Sequence, residues 1–218
     1  MLQRSSRSAG FIGPRLPSPA KAPPAGDDWL SEIKHDGFRI LARRDAAGVW
    51  LYSRNGHDFG KRFPLIVAAV AALPARSCLI DGEAIVSDAS GLAVFELLRS
   101  FRHDHAAVLC AFGLLEFDGQ DLRGLPIEQR KQALAELVSA PHPGNAVNEH
   151  YVGDGAIVYR QACRLVCEGI VCSGSARPIA PADRSNGSKS RTRRRRPFGA
   201  RLRKSGANRP SRMCCEAR

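Results

Sequence analysis

No apolar run in this sequence approaches the 18 or more residues of a membrane span, and the opening MLQRSSRSAGFIGPRLPSPAKAPP holds no continuous hydrophobic segment able to serve as a secretory signal. These absences point to the cytoplasm. Seven cysteines, an odd number, include no CxxC pair. Cys78, Cys110, Cys163, Cys167 and Cys172 therefore read as buried or half-buried thiols, not as metal ligands or disulfide partners. His57 and His150 have no partner at ligand spacing, and His103 and His105 flank Asp104 in what reads as a solvated turn. GQDLRG is too short and wrongly spaced for a phosphate-binding P-loop. Acidic residues are scarce at one end only: from Ser173 to Arg218 there are 2 of them against 14 basic residues. That segment carries the whole formal net charge of +12, and residues 1–172 are neutral on balance.

What is present fits a soluble globular domain with a tail. The chain has 218 residues, 44% hydrophobic and 25% charged, enough for a real core. Residues 1–28, rich in Pro, Ala and Ser, suit an extended arm. WLSEIK, FRILARR and VWLYSR read as three short strands broken by His35-Asp36-Gly37 and by DAAG, which predicts a three-stranded meander. FPLIVAAVAAL predicts a helix ended by Pro74, CLIDGEAIV a strand interrupted by Gly82, and AVFELLRSFR a short amphipathic helix. AVLCAFGLLEF predicts a buried central strand. Pro126 marks a helix start, with Ile127, Leu134 and Leu137 on one face. A strand over NAVNEHY, a helix over DGAIVYRQACRLV and a strand at EGIVC complete a domain spanning 29–172. The mixture predicts an α+β fold with mostly antiparallel sheets flanked by helices. From Ser173 onward, few large apolar residues and no periodicity predict a disordered, Arg-rich tail, 173–218.

The segment EIKHDGFR, Glu32 to Arg39, carries the chemistry: a lysine at a strand end, then a carboxylate, then a glycine permitting a tight turn. Such an amine becomes a nucleophile once it loses its proton, and attack on phosphorus leaves a covalent phosphoramidate. K-x-D-G alone is a weak signal. Its weight comes from order: Arg54 in SRNG follows Lys34 by 20 residues, Glu83 in IDGE by 49, and Glu168 opens EGIV at 134.

In these ordered motifs the sequence resembles the covalent nucleotidyltransferase superfamily of ATP-dependent DNA ligases and mRNA capping enzymes. It is most similar to the bacterial ligases of non-homologous end joining, from about Phe11 to Val171 and including PSPAKAPP, RFPLIVAAV, SCLIDGEA, GLAVF and NEH. The resemblance implies the ligase adenylation fold and a set of roles. Lys34 would take AMP from ATP, and Glu32 would border the adenine. Arg39 and Arg54 would contact ribose and phosphate. Glu83 would hold the ribose or a metal, Glu168 a metal, and Phe112 would stack on adenine. It also implies Mg2+, since carboxylate-held metal neutralises charge on phosphate oxygens. DNA, nicked or broken, would be the partner of a monomer, alongside end-joining repair proteins near the nucleoid.

Four departures qualify the match. Phe112 is followed by Gly113 where the family has F-D-L-L, which removes a carboxylate and loosens the strand. Ser173 stands where the family has lysine, and neither the later W-x-K-x-K motif nor the OB-fold domain is recognisable. A one-nucleotide frameshift near Cys172 to Ser175 would account for this. Synonymous codons for Arg177 to Arg193, read one nucleotide early, can spell SPYRSGRPVEWIKVKNP, close to the family's continuation, and the gene's nucleotide sequence decides the matter. The expected function is thus an ATP-dependent DNA ligase adenylation domain acting in repair and recombination, impaired in this copy. An inactive ligase remnant and a non-catalytic nucleic-acid-binding protein acting through its basic tail are the other two readings.

Overall fold

A computed structural model describes residues 11–165 and 167–175. The expected tail beyond Ser175, with Cys214, Cys215 and the proposed out-of-frame segment, lies outside the described residues. Two sheets form the frame. Strands β2 (Phe38–Asp45), β3 (Gly48–Ser53), β4 (Cys78–Ile85), β5 (Val108–Phe117) and β6 (Gln120–Asp121) make an antiparallel array in the order β3-β2-β4-β5-β6, and β7 (Asn145–Val147) adds to β5 in parallel. Strand β1 (Trp29–Lys34) lies between β8 (His150–Val152) and β9 (Gly169–Gly174) in a separate antiparallel sheet.

Strand alternation sorts the larger sheet into two faces. Ile40 and Ala42 on β2, with Cys78, Ile80 and Ala84 on β4, point into the main core with Leu109, Ala111 and Leu114 of β5. Helix α1 (Pro64–Ala71) starts on a proline whose missing N–H costs nothing there, and it buries Ile66, Ala69 and Val70 in this core. Helix α3 (Ile127–Leu137) adds Leu134 and Leu137. Each fully buried leucine of this kind contributes about 1.5–3 kcal/mol through burial. The opposite face carries Leu41, Leu79 and Leu115, with Tyr52, covered by Phe11 and Ile12 of the extended arm. Helix α4 (Gly155–Arg164) begins where the Asp154 carboxylate accepts from Ala156 N at 2.8 Å, and it packs Ala162 on Ile170 and Cys172 of the smaller sheet.

Several expectations need correction. The first three strands are not one meander, because β1 belongs to the second sheet and the chain crosses between sheets at His35-Asp36-Gly37. NAVNEHY is two strands, not one. Asn148 donates its backbone N–H to Ala111 O at 2.7 Å, ending β7, and the chain then passes to the other sheet as β8. Helix α2 is shorter than expected, Phe95–Arg99, and it is followed by Phe101 at φ +60°. Order reaches past Cys172: Ser173 and Gly174 pair with Leu30 and Trp29, and Ser173 is only 2% exposed. Asp104 is not solvated but buried, gripped by Arg62 Nε at 2.7 Å. Cys163 is exposed, since the amphipathic α4 turns that position outward, whereas Cys78, Cys110 and Cys172 are buried and Cys167 is half-buried. Strand β5 continues through Gly113, although its register against β4 shifts on either side of Ile80-Asp81.

Candidate active site

Lys34 ends β1, opposite Gly169 in the β1–β9 register, so Glu168, one residue earlier, sits across from the lysine. The two side chains form an ion pair. Two residues back along β1, Glu32 shares the face of Lys34 and is buried. The larger sheet supplies the facing groups. Arg39, Asp81 and Glu83 alternate with core residues and so stand on the face away from the main core, Arg39 paired in register with Glu83. Phe112 alternates with the core residue Ala111 and joins them.

A cavity of about 380 Å³ lies between these elements, within the usual range for small-molecule sites. Lys34, Glu32, Arg39, Arg54, Glu83, Phe112 and Glu168 all line it. All seven residues singled out in the sequence are thus brought together from six separate segments. Leu16 and Pro17 of the arm, Ile33, His35, Asp36, Gly37, Asn148 and Val171 complete the wall. The glycine of the motif has a packing reason. A Cβ on Gly37 would lie 2.3 Å from Ala84 O and 2.9 Å from Glu83 Cγ, so the turn that follows Lys34 presses directly on β4.

The expected phosphate or ribose contact at Arg39 acquires a more specific setting. Its guanidinium binds Asp81 in a fork, Nε to Oδ1 at 2.6 Å and Nη2 to Oδ2 at 2.7 Å, and it lies 4.4 Å from the centroid of the Phe112 ring. Arg39 therefore braces Phe112. Arg54, just beyond β3, is exposed at the cavity. Burial pushes the Glu83 carboxyl up to about 7, Arg39 and Lys34 opposing the shift and Asp81 and Glu168 adding to it. Burial also raises Asp36, helped by Glu168, and lowers His35 against the opposing effects of Asn148 and Glu32.

Sequence reasoning missed three participants. Asp81 stands two residues before Glu83 and so on its face, a signal present in IDGE. Lys131 of α3 is buried and ion-paired with Glu32. Its position was readable too: it lies four residues after Ile127 and three before Leu134, inside the apolar stripe. Asn148 donates to Glu32 Oε1 at 3.3 Å and to Ile33 O at 3.1 Å. Nothing local in NEH marks it for that role.

Two antiparallel sheets meeting at a lysine-bearing cavity define the covalent nucleotidyltransferase fold of ligase domains. The family model described as the ATP dependent DNA ligase domain matches residues 18–188, and the chain belongs to that family. It is 30% identical over 165 residues to the multifunctional non-homologous end joining protein LigD of Pseudomonas aeruginosa, a match covering 74% of this chain and 20% of that protein. With the SPbeta prophage-derived DNA ligase-like protein LigB of Bacillus subtilis it shares 29% identity over 180 residues, 81% of this chain and 65% of the relative. Mycobacterial DNA ligase D complexed with ATP and MES matches at a TM-score of 0.63 and 28% identity, covering 73% of this chain and 55% of that one. The ligase domain of M. tuberculosis LigD gives a TM-score of 0.62 at 29% identity, covering 73% and 56%. The chain thus spans about a fifth of the length of the Pseudomonas relative and about half of these solved chains.

Proposed function

We propose that this chain transfers AMP from ATP to Lys34 and then to a DNA 5′-phosphate, so that a 3′-hydroxyl displaces AMP and a nick or break is sealed. The observation that carries the reading is the convergence of Lys34, Glu32, Arg39, Arg54, Glu83, Phe112 and Glu168 on one cavity. In the first step Lys34 Nζ, having lost its proton, attacks the α-phosphorus. A P–N bond forms, the P–O bond to the β-phosphate breaks, and pyrophosphate leaves with the electron pair. Glu168, paired to Lys34, holds the amine in place before attack. Phe112, braced from Arg39, offers a stacking surface for the base, and Arg54 an exposed cation for phosphate.

The residues present fit a Mg2+ ion. Four carboxylates line the cavity (Glu32, Asp36, Glu83 and Glu168) against three cations (Lys34, Arg39 and Arg54), a poor balance for a polyphosphate without further positive charge. Among the described residues no group of three His, Cys, Asp or Glu is placed to hold a metal by itself. Mg2+ takes one or two carboxylates and completes its shell with water and substrate phosphate. Glu83 and Glu168 would hold it, and when bound it neutralises charge developing on the phosphate oxygens. Ser173, buried in β9 at the position where the resemblance places a lysine, implies a slow enzyme, since loss of one charge-stabilising donor typically costs about 10²-fold or more in rate.

Incubation with α-labelled ATP and Mg2+ tests the reading. Label is expected on the wild type and absent from Lys34→Ala. Label on both proteins would overturn the role of Lys34, and label on neither would favour the inactive remnant.

A further inference from the structure

The deepest polar cluster at the cavity is a chain of four side chains that no step above uses in full. Lys131 Nζ is ion-paired to Glu32 Oε1 with side-chain exposures of 2% and 8%. Asn148 Nδ2 reaches the same oxygen at 3.3 Å and Ile33 O at 3.1 Å. Two acceptors at that end of the amide fix its orientation, with nitrogen toward Glu32 and Oδ1 toward His35. His35 Nε2 lies 3.1 Å from Asn148 Oδ1 and, facing an atom that only accepts, must carry the proton.

The cluster has a direction. Among the described residues, both hydrogen bonds to the Glu32 carboxylate fall on Oε1, which leaves Oε2 as an acceptor on a residue that lines the cavity. Lysine has no acceptor and three donors, so Lys131 locks the carboxylate in this sense and a neutral replacement would not. A buried ion pair is weak evidence for stability alone, because desolvation of both partners offsets most of the attraction. Retaining one beside a ligand cavity calls for a positional reason.

We infer that Lys131 and Asn148 are positioning residues for base recognition: by occupying Glu32 Oε1 they aim Oε2 at the ligand, where it accepts from a base bearing an exocyclic amine. This rests on the nucleotide-site reading above. A 6-aminopurine places a donor against the carboxylate, whereas a purine without that amine leaves Oε2 facing no donor at the 6-position. A site built around such a hydrogen bond discriminates far more strongly than one built from apolar contact.

Equilibrium binding to the full chain of ATP and of purine riboside triphosphate, which lacks only the 6-amino group, provides the test. Wild type is expected to bind ATP about 100-fold more tightly, the usual worth of one hydrogen bond to a charged group. Lys131→Met should lower that ratio at least tenfold, and Lys131→Arg should restore most of it. Asn148→Ala, which spares the ion pair, should lower the ratio severalfold and serves as the informative variant if Lys131→Met fails to fold by circular dichroism. A role confined to stability predicts that both dissociation constants rise together with the ratio unchanged, and that result overturns the inference, as does a wild type that binds the two nucleotides alike. The outcome is separable from that of the transferase reading. Discrimination without label on Lys34 rejects the transfer step and keeps base recognition; label on Lys34 without discrimination does the reverse; absence of nucleotide binding rejects both.

Discussion

Gly37→Ala is a small change with a large expected effect, because the added methyl group meets backbone. Its Cβ would lie 2.3 Å from Ala84 O, where ordinary contact begins near 3.4 Å, so β4 or the His35-Asp36-Gly37 turn must move by about 1 Å. A carbonyl held in a sheet ladder does not swing aside as a long side chain would. Overpacking of this kind costs about 1–3 kcal/mol, and at about 2–4 °C per kcal/mol for a chain of this size the midpoint of thermal unfolding should fall by about 2–12 °C. The same displacement moves Lys34 relative to Glu83 and should lower self-adenylylation by about 100-fold, the usual penalty for misplacing reacting groups by an ångström. Gly113→Ala is the matched control. There the Cβ would meet only Asp81 Cβ at 3.4 Å, and relief of a strand glycine is worth about 0.5–1 kcal/mol, so its midpoint should hold or rise. Differential scanning calorimetry on the pair checks the reasoning. A Gly37→Ala protein as stable and as active as wild type, or an equal loss in Gly113→Ala, would refute the claim that this glycine is set by the approach of β4.

Three further outcomes are expected. Lys131→Met takes the cation from the buried Glu32 carboxylate and should cost about 3–5 kcal/mol in urea melts, while the double variant Lys131→Met/Glu32→Leu should lose far less than the sum of the two single losses; simple additivity would contradict a coupled pair. Glu83, raised from 4.5 to about 7, binds its proton more tightly when folded, so its stabilising contribution is full below pH 4.5 and is lost as pH rises through 7. In metal-free buffer Glu83→Gln should therefore flatten the decline in stability between those values, a slope of up to about 1.4 kcal/mol per pH unit, and an unchanged profile would argue against burial as the cause. Among the described cysteines, peptide mapping after brief alkylation at pH 8 should find Cys163 modified first, because it is exposed, while burial holds Cys78 at about 11 and Cys110 at about 12; early labelling of either buried thiol would count against the core packing.

What could be read from the sequence, and what could not, divides along a physical line. Element type is a local property, and the periodicities in WLSEIK, CLIDGEAI and IEQRKQALAEL were sufficient to place β1, β4 and α3. Sheet membership is not local. Strands β1 and β2 alternate in the same way, and nothing in their residues says that one pairs with β9 and the other with β4. The expected meander therefore failed at His35-Asp36-Gly37, and the single expected strand over NAVNEHY failed at Asn148, the two places where the chain passes between sheets. Those two crossings are also where the cavity is built. Lys34 and Gly37 bound the first, Asn148 occupies the second, and all three line the pocket. A lysine at a strand end meets groups of a second sheet only where the chain leaves one sheet for the other. The motif glycine and the asparagine allow that departure, so the segments least legible as secondary structure are the ones that bring Glu32, Lys34, Glu83 and Phe112 together.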